Sequence, residues 1–313
     1  MKQILDANIH LSPGAATAVT LGNFDGLHRG HLALIAAVQS YASRADTPGP
    51  LATVFSFTPH PVAVLTGKPF PAILTEPERA LLLAGLGLDL YVQYPFQAVY
   101  GYSPEAFVSE ILVKQLRCAF LAVGEGYRFG KGQSGGAEDL AALGQRHGFQ
   151  VQIVPHVLYQ GAKISSTRIR DAIERADFAP AEAMMSRPYF VGGVVAYGRR
   201  IGRTMGFPTV NLIPPETKLL PPKGVYLTRV HSEGQSWNAV TNVGDNPTVG
   251  GRQLTVESFL FDFNGDMYQK PIKVSFIQRL RPQHVFTGVE ALKTQIAQDV
   301  AQAKDYFEAE IRR

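Results

Sequence analysis

Cysteine is nearly absent from this 313-residue chain: Cys118 stands alone, which excludes an intrachain disulfide and agrees with a reducing compartment. Long apolar runs are missing too. Stretches such as 81–88 are far too short to cross a bilayer, and Asp6, Asn8 and His10 interrupt any apolar leader, so neither a membrane span nor a signal peptide is expected. A charge excess is lacking: 30 Lys and Arg against 26 Asp and Glu leave +4, too small and too scattered to argue for nucleic acid. There are no internal repeats and no low-complexity tracts. What remains is a chain that is 45% apolar and, at roughly 150 residues per domain, long enough for two domains. A soluble cytoplasmic protein is expected, with no nucleic-acid or membrane partner and with weak homo-oligomerisation left open.

In the first half, β-type runs at 18–24, 51–57, 89–96, 119–123 and 151–157 alternate with helical spacing at 31–44, 76–86, 104–116 and 137–146. Phe107, Ile111 and Leu112 share one face of the third helix, and Pro104 sits near its start. Such alternation predicts an α/β domain, a Rossmann-like parallel sheet whose ligands lie beyond the carboxyl ends of the strands. After helical segments at 169–175 and 180–185 the style changes, near 177–188. Strands are expected at 190–196, 224–230, 237–243, 255–263 and 272–280, separated by turns such as Asn264-Gly265-Asp266. A last helix at 289–307 aligns Leu292, Ile296 and Val300. The second half therefore reads as all-β, a small antiparallel Greek-key-type barrel with a C-terminal helix. The expected domains are 1–180 and 187–313.

The first candidate site follows the first strand: Gly22-Asn23-Phe24-Asp25-Gly26-Leu27-His28-Arg29-Gly30-His31. Glycines at 22, 26 and 30 permit unusual dihedrals and close approach of a ligand. The helix that starts here points unpaired N–H groups and a positive dipole end outward, a natural phosphate seat. His28 and His31, three apart, project to the same side and can donate hydrogen bonds to phosphoryl oxygens. A zinc pair lacks further ligands; two histidines that merely cap a helix are the plainer alternative. Further on, Ser165, Ser166, Thr167 and Arg168 open another helix with hydroxyls and a guanidinium suited to an anion, or simply to N-capping.

These residues resemble the GxFDGxHxGH signature of the nucleotidylyltransferase superfamily with its ISSTxIR segment. Together with Phe57-Thr58-Pro59-His60-Pro61, they resemble the adenylyltransferase module of bacterial bifunctional riboflavin kinase/FAD synthetases. The resemblance runs from about the first strand to Arg175. It implies that FMN and ATP give FAD and pyrophosphate with Mg2+, without a covalent enzyme intermediate. His28 and His31 would stabilise the α-phosphoryl transition state, and Ser165, Ser166 and Arg168 would grip the outgoing phosphates. Gly22, Phe24, Asp25, Gly26 and Thr167 belong to the same expected ATP/phosphate set. His60 is expected in that cleft or, equally, as a structural turn residue between prolines. One departure stands out: Gly126 occupies the place of a polar residue in a GxDFxFG-like stretch, with Glu125 beside it. An active module is expected, either slower or with Glu125 compensating from the adjacent position.

The second candidate site begins at Gly198-Arg199-Arg200-Ile201-Gly202-Arg203-Thr204-Met205-Gly206, which lacks the Walker spacing but can wrap an anion with N–H groups and guanidinium forks. A solvated basic loop is the alternative. Thr209 and Asn211 offer hard oxygens two apart, suited to magnesium that keeps several waters. On the strand at 255–263, alternation puts Glu257 on a face with Phe259, Phe261 and Phe263. A lone carboxylate there suits a general base at the barrel mouth, beside a partner. This half is similar to riboflavin kinase: Pro208-Thr209-Val210-Asn211 stands for the PTAN box, with Val210 replacing alanine. Gly224-Val225-Tyr226 and the 242–248 stretch match further signatures. The resemblance implies that Glu257 activates the ribityl hydroxyl, Thr209 and Asn211 hold Mg2+ and ATP, and Gly198, Gly202 and Gly206 lie in a loop closing over them. Gly224, Val225 and Tyr226 are expected at the flavin. The chain is thus expected to make FMN from riboflavin and FAD from FMN, with riboflavin, FMN, FAD and ATP as its ligands. A kinase with a vestigial first domain and a non-catalytic flavin- or nucleotide-binding regulator are the alternatives.

Overall fold

The computed structural model describes residues 1–44, 49–196, 207–248 and 251–312. The chain divides into two compact units, Met1–Ser166 and Thr167–Arg313. The sequence places the boundary later. Phe178 explains why the helix at Phe178–Met185 falls with the second unit: its ring packs against Tyr189, Tyr226 and Phe276.

The first unit is built on β1 (Lys2–Ile4), β2 (Thr17–Leu21), β3 (Leu51–Thr58), β4 (Leu90–Pro95), β5 (Cys118–Gly124) and β8 (Gln150–Val154). They form one parallel sheet in the order β1-β4-β3-β2-β5-β8. The short edge strand β1, only partly covered, carries too little alternation to be legible in sequence. Between the strands run α1 (Arg29–Ala42), α2 (Pro61–Thr66), α3 (Glu76–Ala84), α4 (Pro104–Phe107) and α5 (Ala137–His147). The helix expected over 104–116 continues past α4 with π-type hydrogen bonding at Val108–Gln115, burying Val108, Ile111 and Leu112. From β2 the chain adds β3 and β4 on one side, then crosses to place β5 on the other. The carboxyl ends of β2 and β5 therefore flank a topological switch point, where open α/β sheets bind ligands. Two small hairpins complete the unit, β6 (Arg128–Phe129) with β7 (Gly135–Gly136), and β9 (Leu158–Tyr159) with β10 (Ala162–Lys163). Cys118 is buried, which pushes its thiol up to about 12 and removes it from chemistry.

The second unit opens with α6 (Ser166–Glu174) and α7 (Phe178–Met185). Its sheet joins β11 (Phe190–Val194), β12 (Thr209–Leu212), β13 (Gly224–Ser232), β14 (Gln235–Thr248), β15 (Gly251–Leu260) and β16 (Pro271–Pro282) in the order β11-β16-β13-β14-β15-β12. Three hairpin-linked strands with β16 returning beside β13 make a Greek key. Among the described residues a single bridge, Ala196 to Asn211, links the two sheet ends, with Ala196 N–H donating to the Asn211 carbonyl at 2.8 Å. The C-terminal helix α8 (Val289–Ile311) covers one face, where Ala303 and Phe307 join Val225, Leu227, Val240 and Phe261 in a core. The expected α/β and all-β classes are both realised.

That cover is fastened by charge. Arg281 on β16 makes a fork with Asp299 of α8, at 2.7 Å from Nη2 and 2.9 Å from Nε, and Gln295 donates to the same carboxylate at 3.0 Å. Asp299 is 3% exposed. Removing the guanidinium leaves a buried carboxylate without its counter-charge, so Arg281→Ala should cost about 3–5 kcal/mol of stability. A chemical-denaturation loss below about 1 kcal/mol would contradict this.

Candidate functional site

His28 is the N-cap of α1 and His31 its third residue. His31 N–H donates to Nδ1 of His28, and His28 N–H donates to Nδ1 of His31, each at 3.3 Å. This reciprocal capping stacks the two imidazoles, with centroids 3.6 Å apart and planes within 13°. Since both Nδ1 atoms accept, the hydrogen-bond network assigns the neutral tautomer with the proton on Nε2, a donor. Capping through Nδ1 therefore does not use the Nε2 donor of either ring. Phe24, fully buried at φ +49°, supports His31 with its ring at 5.0 Å.

Other members of the expected phosphate set shape the turn. The Asp25 carboxylate is 3% exposed and accepts the N–H groups of Ile73 and Leu74 at 2.8 and 3.3 Å. It therefore holds the chain before α3 rather than a phosphate. Gly26 lies at φ +82°, where a Cβ would stand 3.1 Å from Ile73, so its smallness serves packing rather than ligand approach. Ser166 donates to the Asp25 carbonyl at 2.7 Å. Ser165 precedes it, while Thr167 and Arg168 follow in the first turn of α6 and belong to the second unit. His60 caps α2 through Nδ1 and stacks on Phe70 at 3.9 Å; it lines neither cavity described next.

Two cavities meet at the switch point. One of about 330 Å3 is walled by His28, His31, Glu125, His156 and Ser166. The other, about 500 Å3, is lined by Phe57, Phe96, Phe107, Tyr127 and Phe129, with Lys131 at its wall. Gly22, Asn23 and Tyr127 belong to both. Burial raises the Tyr127 phenol well above its ordinary pKa, so it presents a neutral ring and hydroxyl. Sequence reasoning does not assemble the aromatic cavity. Its residues come from strands and loops far apart in the chain: Phe57 stands in the Phe57–Pro61 motif and Tyr127 and Phe129 in the GxDFxFG-like stretch, while Phe96 and Phe107 read as core. Gly126 adopts φ +72° with open space around it, and Glu125 accepts the His156 N–H at 3.1 Å across the smaller cavity.

In the second unit, Glu257 faces Asn211 on β12 and Asn242 on β14, each directly opposite in register. Opposed residues share a sheet face, so the row Val225, Asn242, Glu257, Asn211 crosses four strands. Thr209, opposite Phe259, lies on the same face as Asn211. Asn242 is a neighbour that the sequence alone places only within a motif. Thr255 Oγ1 lies 3.4 Å from the Glu257 carboxylate. Burial raises the Glu257 pKa, and that hydrogen bond only partly opposes it. The aromatic face is shorter than expected: Asp262 turns at φ +56°, which sends Phe263 edge-on to Trp237 at 5.3 Å.

Tyr226 departs from the expected flavin set. Consecutive strand residues point to opposite faces, and Tyr226 lies fully buried beside Phe178 and Phe276, with its hydroxyl bonded to the Pro222 carbonyl. Burial pushes its phenol up to about 12. Only Val225 shares the face of Glu257. At Gly224 a Cβ would lie 2.5 Å from the Arg281 carbonyl, so glycine there lets two strands pack. Gly198, Gly202 and Gly206 lie outside the described residues. A cavity of about 330 Å3 beside Pro208 and Thr209 is completed by Asn264, Asp266 and Tyr268.

An imidazole-lined pocket at the switch point of a parallel sheet, followed in the same chain by a Greek-key barrel with a half-buried acid, is the layout of a two-site group-transfer protein. A family model described as FAD synthetase matches residues 12–168, and one described as riboflavin kinase matches 185–307. The chain is 38% identical to a bifunctional riboflavin kinase/FMN adenylyltransferase of Pseudomonas fluorescens, over 91% of each protein. It is 35% identical to the protein of that name from Escherichia coli K12, over 96% of each. It also superposes on a crystal structure described as a macrolide-efflux protein from Streptococcus pneumoniae, with TM-score 0.83, 30% identity and coverage of 96% of this chain and 98% of that one. Among the described residues no helix is long and apolar enough to cross a membrane. The chain belongs to the bifunctional riboflavin kinase/FMN adenylyltransferase family. Both family matches favour two activities over a lone kinase or a non-catalytic regulator.

Proposed function

We propose that the two sites act in series, the barrel phosphorylating riboflavin to FMN and the parallel-sheet unit adenylylating FMN to FAD, with ATP as co-substrate of both. The observation that carries the first-unit assignment is the junction of an imidazole-lined cavity with an aromatic one. The aromatic cavity suits the flat, apolar flavin ring, and the shared wall at Gly22 and Asn23 brings its phosphate beside His28 and His31. An FMN phosphate oxygen attacks the ATP α-phosphorus while the bond to the bridging oxygen breaks and pyrophosphate departs. No side chain becomes covalently attached. The Nε2–H groups stabilise the charge that gathers on the α-phosphoryl oxygens, while positioning supplies much of the remaining rate.

In the barrel, Glu257 accepts the proton of the ribityl 5′-hydroxyl as that oxygen attacks the γ-phosphorus, and ADP leaves. Asn211 and Asn242, on either side in the register, are placed to orient the hydroxyl or the carboxylate. The riboflavin ring would lie at the end of this face nearest Glu257 and Asn211, since Val225 itself is packed under α8. Thr209 and Asn211 fit a magnesium ion held mainly by ATP phosphates, since their donors are hard oxygens. Bound there, magnesium would neutralise charge on the transferring phosphate. The same set of reactants, ATP and free flavins, agrees with a cytoplasmic protein.

Incubating the full chain with riboflavin, ATP and Mg2+ and separating the flavins by chromatography should show FMN first and FAD after it. EDTA in excess should stop both steps, and added Mg2+ should restore them. Absence of FAD when FMN is supplied directly would refute the first-unit assignment. Full activity in EDTA would refute the metal.

A further inference from the structure

The structure assigns Arg79, through the Asn23 carbonyl, the part of a positioning residue for adenylyl transfer. The inference rests on reading the first unit as the FMN adenylyltransferase. Arg79 lies on α3, outside both cavities, and is 7% exposed. Its Nη1 donates to the Asn23 carbonyl at 2.6 Å, its Nε donates to the Tyr91 hydroxyl at 2.8 Å, and its Nη2 pairs with Glu76. Tyr91 is fully buried and donates in turn to Glu76 at 2.8 Å, closing the network. Burial works against the charge, but the Tyr91 oxygen and the Glu76 carboxylate raise the Arg79 pKa above its ordinary value.

A guanidinium this buried is a demanding way to hold a helix on a sheet, since apolar residues would do that without desolvating a charge. What it does here is specify one carbonyl. Asn23 lies in the wall shared by the imidazole and aromatic cavities, between Gly22 and Phe24. The peptide is planar and trans, so tying the Asn23 carbonyl to Arg79 turns the Phe24 N–H the opposite way. That N–H has no hydrogen-bond partner among the described residues, although Phe24 is fully buried. The neighbouring φ of +49° at Phe24 is one that a non-glycine residue adopts only when its surroundings impose it.

The clamp has a second jaw. Asp25 accepts the N–H groups of Ile73 and Leu74, immediately before the Thr75–Glu78 capping box that starts α3. The start of α3 thus grips the turn at residues 23 and 25, and the reacting geometry at His28 is built on that turn. A displacement of even an ångström at such a site costs rate rather than affinity.

Arg79→Lys keeps the charge but cannot make the three-way fork. In the full chain it should lower kcat for FAD formation from FMN at least tenfold, with KM for FMN and ATP changed less than threefold. Riboflavin phosphorylation by the same preparation should be unchanged. Tyr91→Phe, which removes one partner and leaves the Asn23 contact possible, should lower the same kcat about three- to tenfold with KM unaltered, and it decides the matter if the lysine variant does not fold. Unaltered kcat in the folded lysine variant, or in Tyr91→Phe when lysine does not fold, overturns the inference. So does a loss carried by KM alone. Wild-type protein that forms no FAD would instead sink the reading of the unit itself.

Discussion

Glu257→Gln should abolish FMN formation, lowering the kinase rate by about 10²–10⁴-fold, the usual contribution of a positioned base, while FMN supplied directly is still converted to FAD. The substitution keeps the shape of the side chain and its ability to accept from Thr255, and deletes only the capacity to take a proton. Stability should move the other way from activity. Burial raises the Glu257 pKa in the folded protein. Its contribution to stability is therefore greatest below the unfolded-state pKa and is lost as pH rises through the folded one. At neutral pH the folded chain carries an ionised acid that it disfavours, so the glutamine variant should melt at the same temperature or higher. For the wild type, the kinase rate should fall on the acid side as Glu257 takes up its proton, at a pH above that of an ordinary carboxylate. Loss of both activities together, or a marked fall in melting temperature, would show that Glu257 is structural. Retained FMN formation would show that the base lies elsewhere.

The alternation of Glu257, Phe259 and Phe261 was legible in sequence because a strand's period of two survives any tertiary context. What stopped it was local: the strand ends at Leu260, and the left-handed Asp262 turns Phe263 off the face. The row of asparagines was not legible, since register across β12, β14 and β15 is a long-range property. For β12, the polar-apolar alternation of Thr209-Val210-Asn211-Leu212 was present, but four residues give little periodicity and their oxygens read first as ligands. Tyr226 illustrates the converse. A motif read as one ligand-binding string lies on a strand, where adjacent residues cannot share a face.

In the first unit, the glycine-rich turn and its two histidines point to an anion seat, because that expectation is local to one helix start. Which of its residues face that seat was not local. Asp25 and Gly26 are turned toward Ile73 and Leu74, residues nearly fifty positions away, and only the folded chain shows them gripping the start of α3. Arg79 carries no sequence signal of its own, because a charged residue early in a helix is ordinarily a solvated one. The aromatic cavity is hidden for a related reason: apolar residues at strand ends look like core until the switch point separates them from it.

That division between local and long-range roles shapes the test of the imidazoles. Each histidine caps α1 with Nδ1, so alanine would remove a cap worth about 1 kcal/mol together with the Nε2 donor and confound the two. His28→Asn retains an N-cap acceptor, and His31→Gln retains the third-residue partner of a capping box; neither reproduces the stacked imidazole pair. Each should therefore leave the melting temperature within a few degrees of wild type. FAD formation from FMN should fall about 10²–10³-fold, the usual cost of removing a preorganised donor to developing charge, with riboflavin phosphorylation unaffected. The double variant should lose less than the product of the two single losses, because imidazoles stacked at 3.6 Å act on the same charge as one unit. Wild-type FAD formation in either stable single variant would reduce the pair to a helix cap and leave adenylyl transfer without its donors.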